Sequence, residues 1–193
     1  MNKILVLVLM MAVATCKIQA QDNPGNKPGW MEHFHSFNTF QVLNGKTTTS
    51  LALNSVNGFQ IGKFFSGIGV GFDYYYHVSV PLFIEARLDL AKRKGKLQIF
   101  GNGGLNFPFS SQNKKFESKP GGYKTGSLFG GGLDYLIPAK KEAFILGVAF
   151  SNKQVIQMVD NIIWDPTTNM TENIPIKDKY TLNRIAIRIG WMF

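Results

Sequence analysis

Few residues in this 193-residue chain have the types and spacing for covalent chemistry. His77-Val78-Ser79 is its single His-x-Ser. A serine nucleophile needs a histidine base that is itself held by a carboxylate. Glu85, the nearest acid downstream, lies too far along the next apolar segment to hold it, so a polar hairpin tip accounts for the pair. His33 and His35 are two residues apart, on one face of an extended segment, but no carboxylate or thiol set lies beside them to complete a metal site. The glycine runs "GNGGLNF" and "FGGGLDY" fall inside alternating segments, whereas a phosphate cradle needs a strand-to-helix turn. Cys16 is the only cysteine. The chain is therefore expected to hold no catalytic, metal or cofactor-binding residues.

The elements carrying these residues are strands almost throughout. Apolar and polar residues alternate with period 2 over about 33–44, 50–61, 65–76, 80–91, 97–108, 122–137, 143–158 and 180–193. The segment "VPLFIEARLDLA" sets Val80, Leu82, Ile84, Ala86, Leu88 and Leu90 on one face and Glu85, Arg87 and Asp89 on the other. At the end of the sequence, "RIAIRIGWMF" sets Ile185, Ile187, Ile189, Trp191 and Phe193 against Arg184 and Arg188. No stretch has the 3.6-residue period of a long amphipathic helix, and most gaps suit hairpins, so the fold class is all-β and antiparallel. The connections near 109–121 and 159–179 are long and the alternate ones short, which expects long loops at one end of an up-and-down sheet.

The N-terminus bears on the solvent. Lys3 is followed by an apolar run from Ile4 to Ala14, too short for a membrane helix and suited to a signal peptide over 1–20, cleaved after Ala20. A competing reading makes Cys16 a lipidated first residue, though Thr15 is bulkier than the residue usually found there. Residues 21–32, rich in Pro and Gly, form a flexible leader, and 33–193 the folded domain. Losing Lys3 and Lys17 lowers 21 basic residues to 19 against 12 acidic, so the net charge of +9 becomes +7. The lysines sit in short clusters between strands rather than on a basic helix, so nucleic acid is not an expected partner.

A soluble barrel of this pattern would turn its apolar rows inward and its charged rows out to water. Turned inside out, the apolar rows meet lipid, and Arg87, Arg184 and Arg188 pair inside with Asp73, Glu85, Asp89 and Asp134. Glycine rows (Gly67, Gly69 and Gly71; Gly130 and Gly132) are expected to make room for the arginines. Tyr74, Tyr75 and Tyr76 at one rim and Trp191 at the other suit two aromatic girdles.

With these features, the chain resembles the small eight-stranded outer-membrane β-barrels of Gram-negative bacteria, the OmpA/OmpX-like and porin-like group. The resemblance rests on the terminal strand ending in Phe193, with Trp191 and Ile189 at two-residue steps and Gly190 between them, and on "GVGFDYYY" followed by "VPLFIEARLDL". It implies that Ile189, Trp191 and Phe193 are the signal read by the barrel-assembly machinery, and that the chain is a monomer of the outer membrane. The expected partners are outer-membrane lipids and lipopolysaccharide, the latter through Lys114, Lys115 and Lys119 unless these are merely solvated. Since eight strands leave room only for side chains, the expected role is structural or surface interaction through the long loops, the second carrying Trp164, Pro166 and Pro175. The competing readings are a lipid A-modifying enzyme, a narrow channel and a soluble lipocalin-like carrier.

Overall fold

Alternation along the chain is realised as nine strand segments: β1 (Phe34–Gly45), β2 (Thr49–Ile61), β3 (Phe64–Asp73), β4 (Ser79–Asp89), β5 (Lys96–Pro108), β6 (Tyr123–Lys124), β7 (Gly126–Ala139), β8 (Glu142–Asp165) and β9 (Met170–Met192). The computed structural model describes residues 33–46, 48–76, 78–90, 95–109, 123–139, 142–165 and 170–193, with backbone alone at 159–165 and 170–175. The signal-peptide and leader expectations, Cys16, His77 and the lysines of 110–122 lie outside the described residues.

Segments β6 and β7 both pair with β8 and form one stave interrupted at Thr125, so the nine segments make eight staves. Each stave runs antiparallel to its chain neighbours, and β9 returns to β1 from Phe37↔Met192 to Gly45↔Arg184. Ser36 and Phe193 continue the seam, exchanging N–H···O bonds of 2.8 and 3.1 Å. The result is a closed, eight-stranded, antiparallel up-and-down barrel, which leaves the staves no free edge along the seam. The two-residue turn after β2 places Gly62 at φ 62°, a left-handed conformation that only glycine takes without strain.

Exposure sorts the two faces. Ile68, Ile84, Ile185 and Ile187 are 60–65% exposed, whereas Arg87, Asp134, Lys153 and Arg188 are at most 2% exposed. That inversion of a soluble protein's polarity is what a lipid-facing wall requires. With 10 residues in β3 and 11 in β4, the staves match the length of a tilted membrane-crossing strand.

The expected loop over 159–179 is instead, in its described residues, a β-ribbon. β8 and β9 stay paired from Ala143↔Met192 to Asp165↔Met170, well past the last β1 pair at Gly45↔Arg184. The dense β-formers Val155, Ile156, Val159, Ile162, Ile163 and Trp164 favour the extended chain. Pro175 does not break it, because it stands opposite Asp160 above the reach of β1, on an edge strand where proline is tolerated.

Candidate functional site: a paired-ion lumen beneath a projecting ribbon

Within the barrel, eight buried charged side chains among the described residues divide evenly between cations (Arg87, Lys153, Arg184, Arg188) and anions (Asp73, Glu85, Asp89, Asp134). Their strands place them in two groups. In the group nearer the start of β1 and the end of β9, Arg87 Nε donates to Glu85 Oε1 at 2.7 Å, and its Nη1 reaches Asp134 at 2.9 Å. Arg188 stands 3.5 Å from the same Asp134 oxygen. Asn102 donates to Glu85 at 3.1 Å, and Gln98 donates to Asp89. Asp89 also faces Lys96 at 3.7 Å, a pair half open to solvent on the lysine side. The Arg87 guanidinium lies 3.8 Å from the centre of the Phe37 ring, and that of Arg188 lies 3.9 Å from Phe100. Aromatic faces thus hold these cations where water is scarce.

The second group lies below the β3–β4 turn. Asp73 accepts from Arg184 and faces Lys153 at 3.2 Å. Lys153 Nζ also donates to Ser79 Oγ at 2.7 Å and to the Tyr75 carbonyl at 3.2 Å. The backbone N–H of Tyr75 closes the turn onto Asp73 Oδ1 at 2.8 Å. Arg184 Nε donates to Ser151 Oγ at 3.1 Å. Between the groups is a cavity of about 40 Å³ lined in part by Gln41, Asn54, Asn102, Arg184 and Arg188. At roughly 10–15 Å³ per water, it has room for a few waters. Among the described residues, Asn54 Oδ1 and Arg188 Nε lack a protein partner, and both residues line the cavity where water would serve them.

All seven charged lumen residues expected from the sequence are therefore buried and brought into contact with partners. The glycines play a different part from the expected one. A Cβ at Gly69 would strike the Phe83 ring, and those at Gly67, Gly71, Gly130 and Gly132 would first meet Asn57, Asn54, Asn102 and Val148, so none of the five has an arginine as its nearest neighbour. Lys153 was absent from the expected set. It continues the inward row of Ile145, Gly147, Ala149 and Ser151, and extending that row by one step would have found it. Phe37 was obscured because β1 mixes apolar and polar residues on both faces.

At the rims, Tyr74 and Trp191 are about half exposed at opposite ends. Ile189, like Trp191, points outward. Tyr75 is buried in the lumen instead of joining a girdle. Tyr76, at φ 63°, sets its ring 5.9 Å from that of Tyr180 on the ribbon. His33 is exposed, and the described residues contain no cluster of three potential metal ligands.

An apolar exterior around an ion-paired lumen, closed by eight staves, defines a membrane-type β-barrel fold. No protein-family model matches the chain, and no curated protein sequence does. Among solved structures, it is similar in fold to the crystal structure of Neisserial surface protein A (NspA), with a TM-score of 0.53 and 8% sequence identity, over 83% of this chain and 94% of that one.

Proposed function

We propose that the chain is a monomeric integral protein of the bacterial outer membrane. In this reading its lumen is a filled structural core, and its working surface is the rim and the β8–β9 ribbon. The observation that carries this reading is the polarity: isoleucine rows outside and four buried ion-paired cations inside. The fold likeness to a protein named for the surface supports it. Ile189, Trp191 and Phe193 then serve the barrel-assembly machinery, and Tyr74, Tyr76 and Trp191 the interfacial girdles.

The role is structural or interactive rather than enzymatic. Ser79 and Lys153 stand at the distance of a nucleophile and its base, yet Ser79 is fully buried. Lys153 is held by a carboxylate, a hydroxyl and a carbonyl, so its Nζ is engaged by lumen partners rather than turned toward a substrate.

Fractionation of a Gram-negative host tests the reading. The protein should sediment with the outer membrane, and unheated detergent samples should migrate differently from boiled ones, because a closed hydrogen-bonded barrel resists detergent. Recovery in the soluble periplasm would overturn the membrane assignment and restore the carrier reading.

A further inference from the structure

The barrel wall has a step. β1 stops pairing with β9 at Gly45↔Arg184, while β9 continues upward as one strand of the ribbon. In that corner lies a groove of about 570 Å³. Val42, Phe150, Ile185 and Ile187 form its apolar part, and its polar part includes Lys46 and Asn183 beside Asn44, Thr49 and Arg184. The outward row of β9 extends the same gradient. From the wall upward it reads Ile187, Ile185, Asn183, Thr181, Lys179 and Lys177, all exposed. Asp178 lies between the two lysines in sequence but belongs to the opposite row. At a tilt near 45°, the four residue steps from Asn183 to Lys179 climb about 10 Å along the membrane normal, comparable with a headgroup layer.

We propose that this corner binds one phosphorylated, multiply acylated lipid of the outer leaflet, the chemical class of lipid A. The inference rests on the membrane reading above. Acyl chains lie against Ile185, Ile187 and Phe150, which already belong to the lipid-facing wall. Asn183 and Thr181 offer hydrogen bonds to a sugar or amide headgroup, Lys46 supplies positive charge in the groove beside Asn183, and Lys179 and Lys177 supply it higher on the same outward row. The apolar floor is continuous with the lipid belt, so an amphiphile reaches the groove without displacing the membrane. A soluble protein partner would have to displace it.

The test uses the full chain in nanodiscs of phosphatidylcholine with a minor fraction of bis-phosphorylated lipid A, released into mild detergent for native mass spectrometry. One lipid A per barrel should be retained, and its dephosphorylated form retained about tenfold less. The double variant Lys46→Gln with Lys179→Gln should lose a similar factor while keeping its heat-dependent migration. Added inorganic phosphate should not displace the lipid, since the acyl contacts are part of the site. Equal retention of lipid A and phosphatidylcholine by the wild-type barrel overturns the inference, whether or not the variant folds. So does unchanged retention in a folded variant, which would place any lipid elsewhere. A chain that never enters the nanodisc brings down the membrane reading itself, a distinguishable failure.

Discussion

Asp134 serves two guanidiniums, at 2.9 Å from Arg87 and 3.5 Å from Arg188, and it is completely buried. Asp134→Asn keeps the shape and removes the charge, leaving Arg87 and Arg188 to share Glu85. The expected cost is about 3–5 kcal/mol, the usual result of breaking one side of a buried pair. Lys96→Ala, by contrast, removes a partner that is half exposed and should cost about 1 kcal/mol or less. Urea unfolding of the barrel in lipid vesicles separates the two, and equal losses would mean that the lumen is far wetter than its burial indicates. The opposite faces of β9 give a second test. Ile187 is 60% exposed and Arg188 2%, although they are adjacent. In a single-cysteine series with Cys16 removed, a fluorophore at position 187 should be quenched by lipid-phase quenchers and one at 188 should not. Ile187→Arg should cost about 2–4 kcal/mol through a charge in hydrocarbon. The reverse quenching pattern would mean that the arginines face lipid.

At the scale of elements, the ribbon is the part that projects; β6 pairs with its β8 strand, and a ring pair links its β9 strand to the β3–β4 turn, Tyr76 against Tyr180. An aromatic pair contributes about 0.5–1.5 kcal/mol. Tyr180→Ala should therefore raise the rate of trypsin cleavage at Lys177 and Lys179 about two- to tenfold if local opening governs access. Tyr74→Ala, on the outer wall, should leave that rate unchanged, and equal effects of the two would show that the ring pair does not restrain the ribbon. How much of this was legible in sequence follows from the same physics. β3 and β4 alternate cleanly because one face meets an apolar medium and the other an ionic lumen, so their faces could be read directly. The ribbon is not legible in this way, because a sequence does not reveal that Pro175 stands on β9 beyond the last β1 pair, on an edge strand where proline is tolerated. The pairing of specific charges was likewise only partly legible. Alternation says which residues face inward, but barrel register decides that Asp134 on β7 meets Arg87 on β4 while Asp73 on β3 meets Lys153 on β8.

For the whole molecule, the question is whether a closed barrel of this size also conducts. Eight staves enclose an interior just wide enough for side chains. Here that interior holds four cations and four anions, with Phe37, Phe65, Phe83 and Phe100 buried among the described residues. These described charges balance, and the cavity between the two ionic groups has only about 40 Å³. A hydrated sugar would have to break the contacts of Arg87 and Arg188 with Asp134 and with the rings of Phe37 and Phe100, and then those of Asp73 with Lys153 and Arg184. Each broken buried pair costs on the order of 3–5 kcal/mol, and several in series make passage slow even where one opens spontaneously. Liposomes carrying the folded barrel should accordingly swell in isotonic arabinose no faster than protein-free liposomes, at protein loads where a general diffusion porin gives rapid swelling. Swelling at a porin-like rate would mean that the lumen is an open path in the membrane and that its ion pairs are a lining rather than a core.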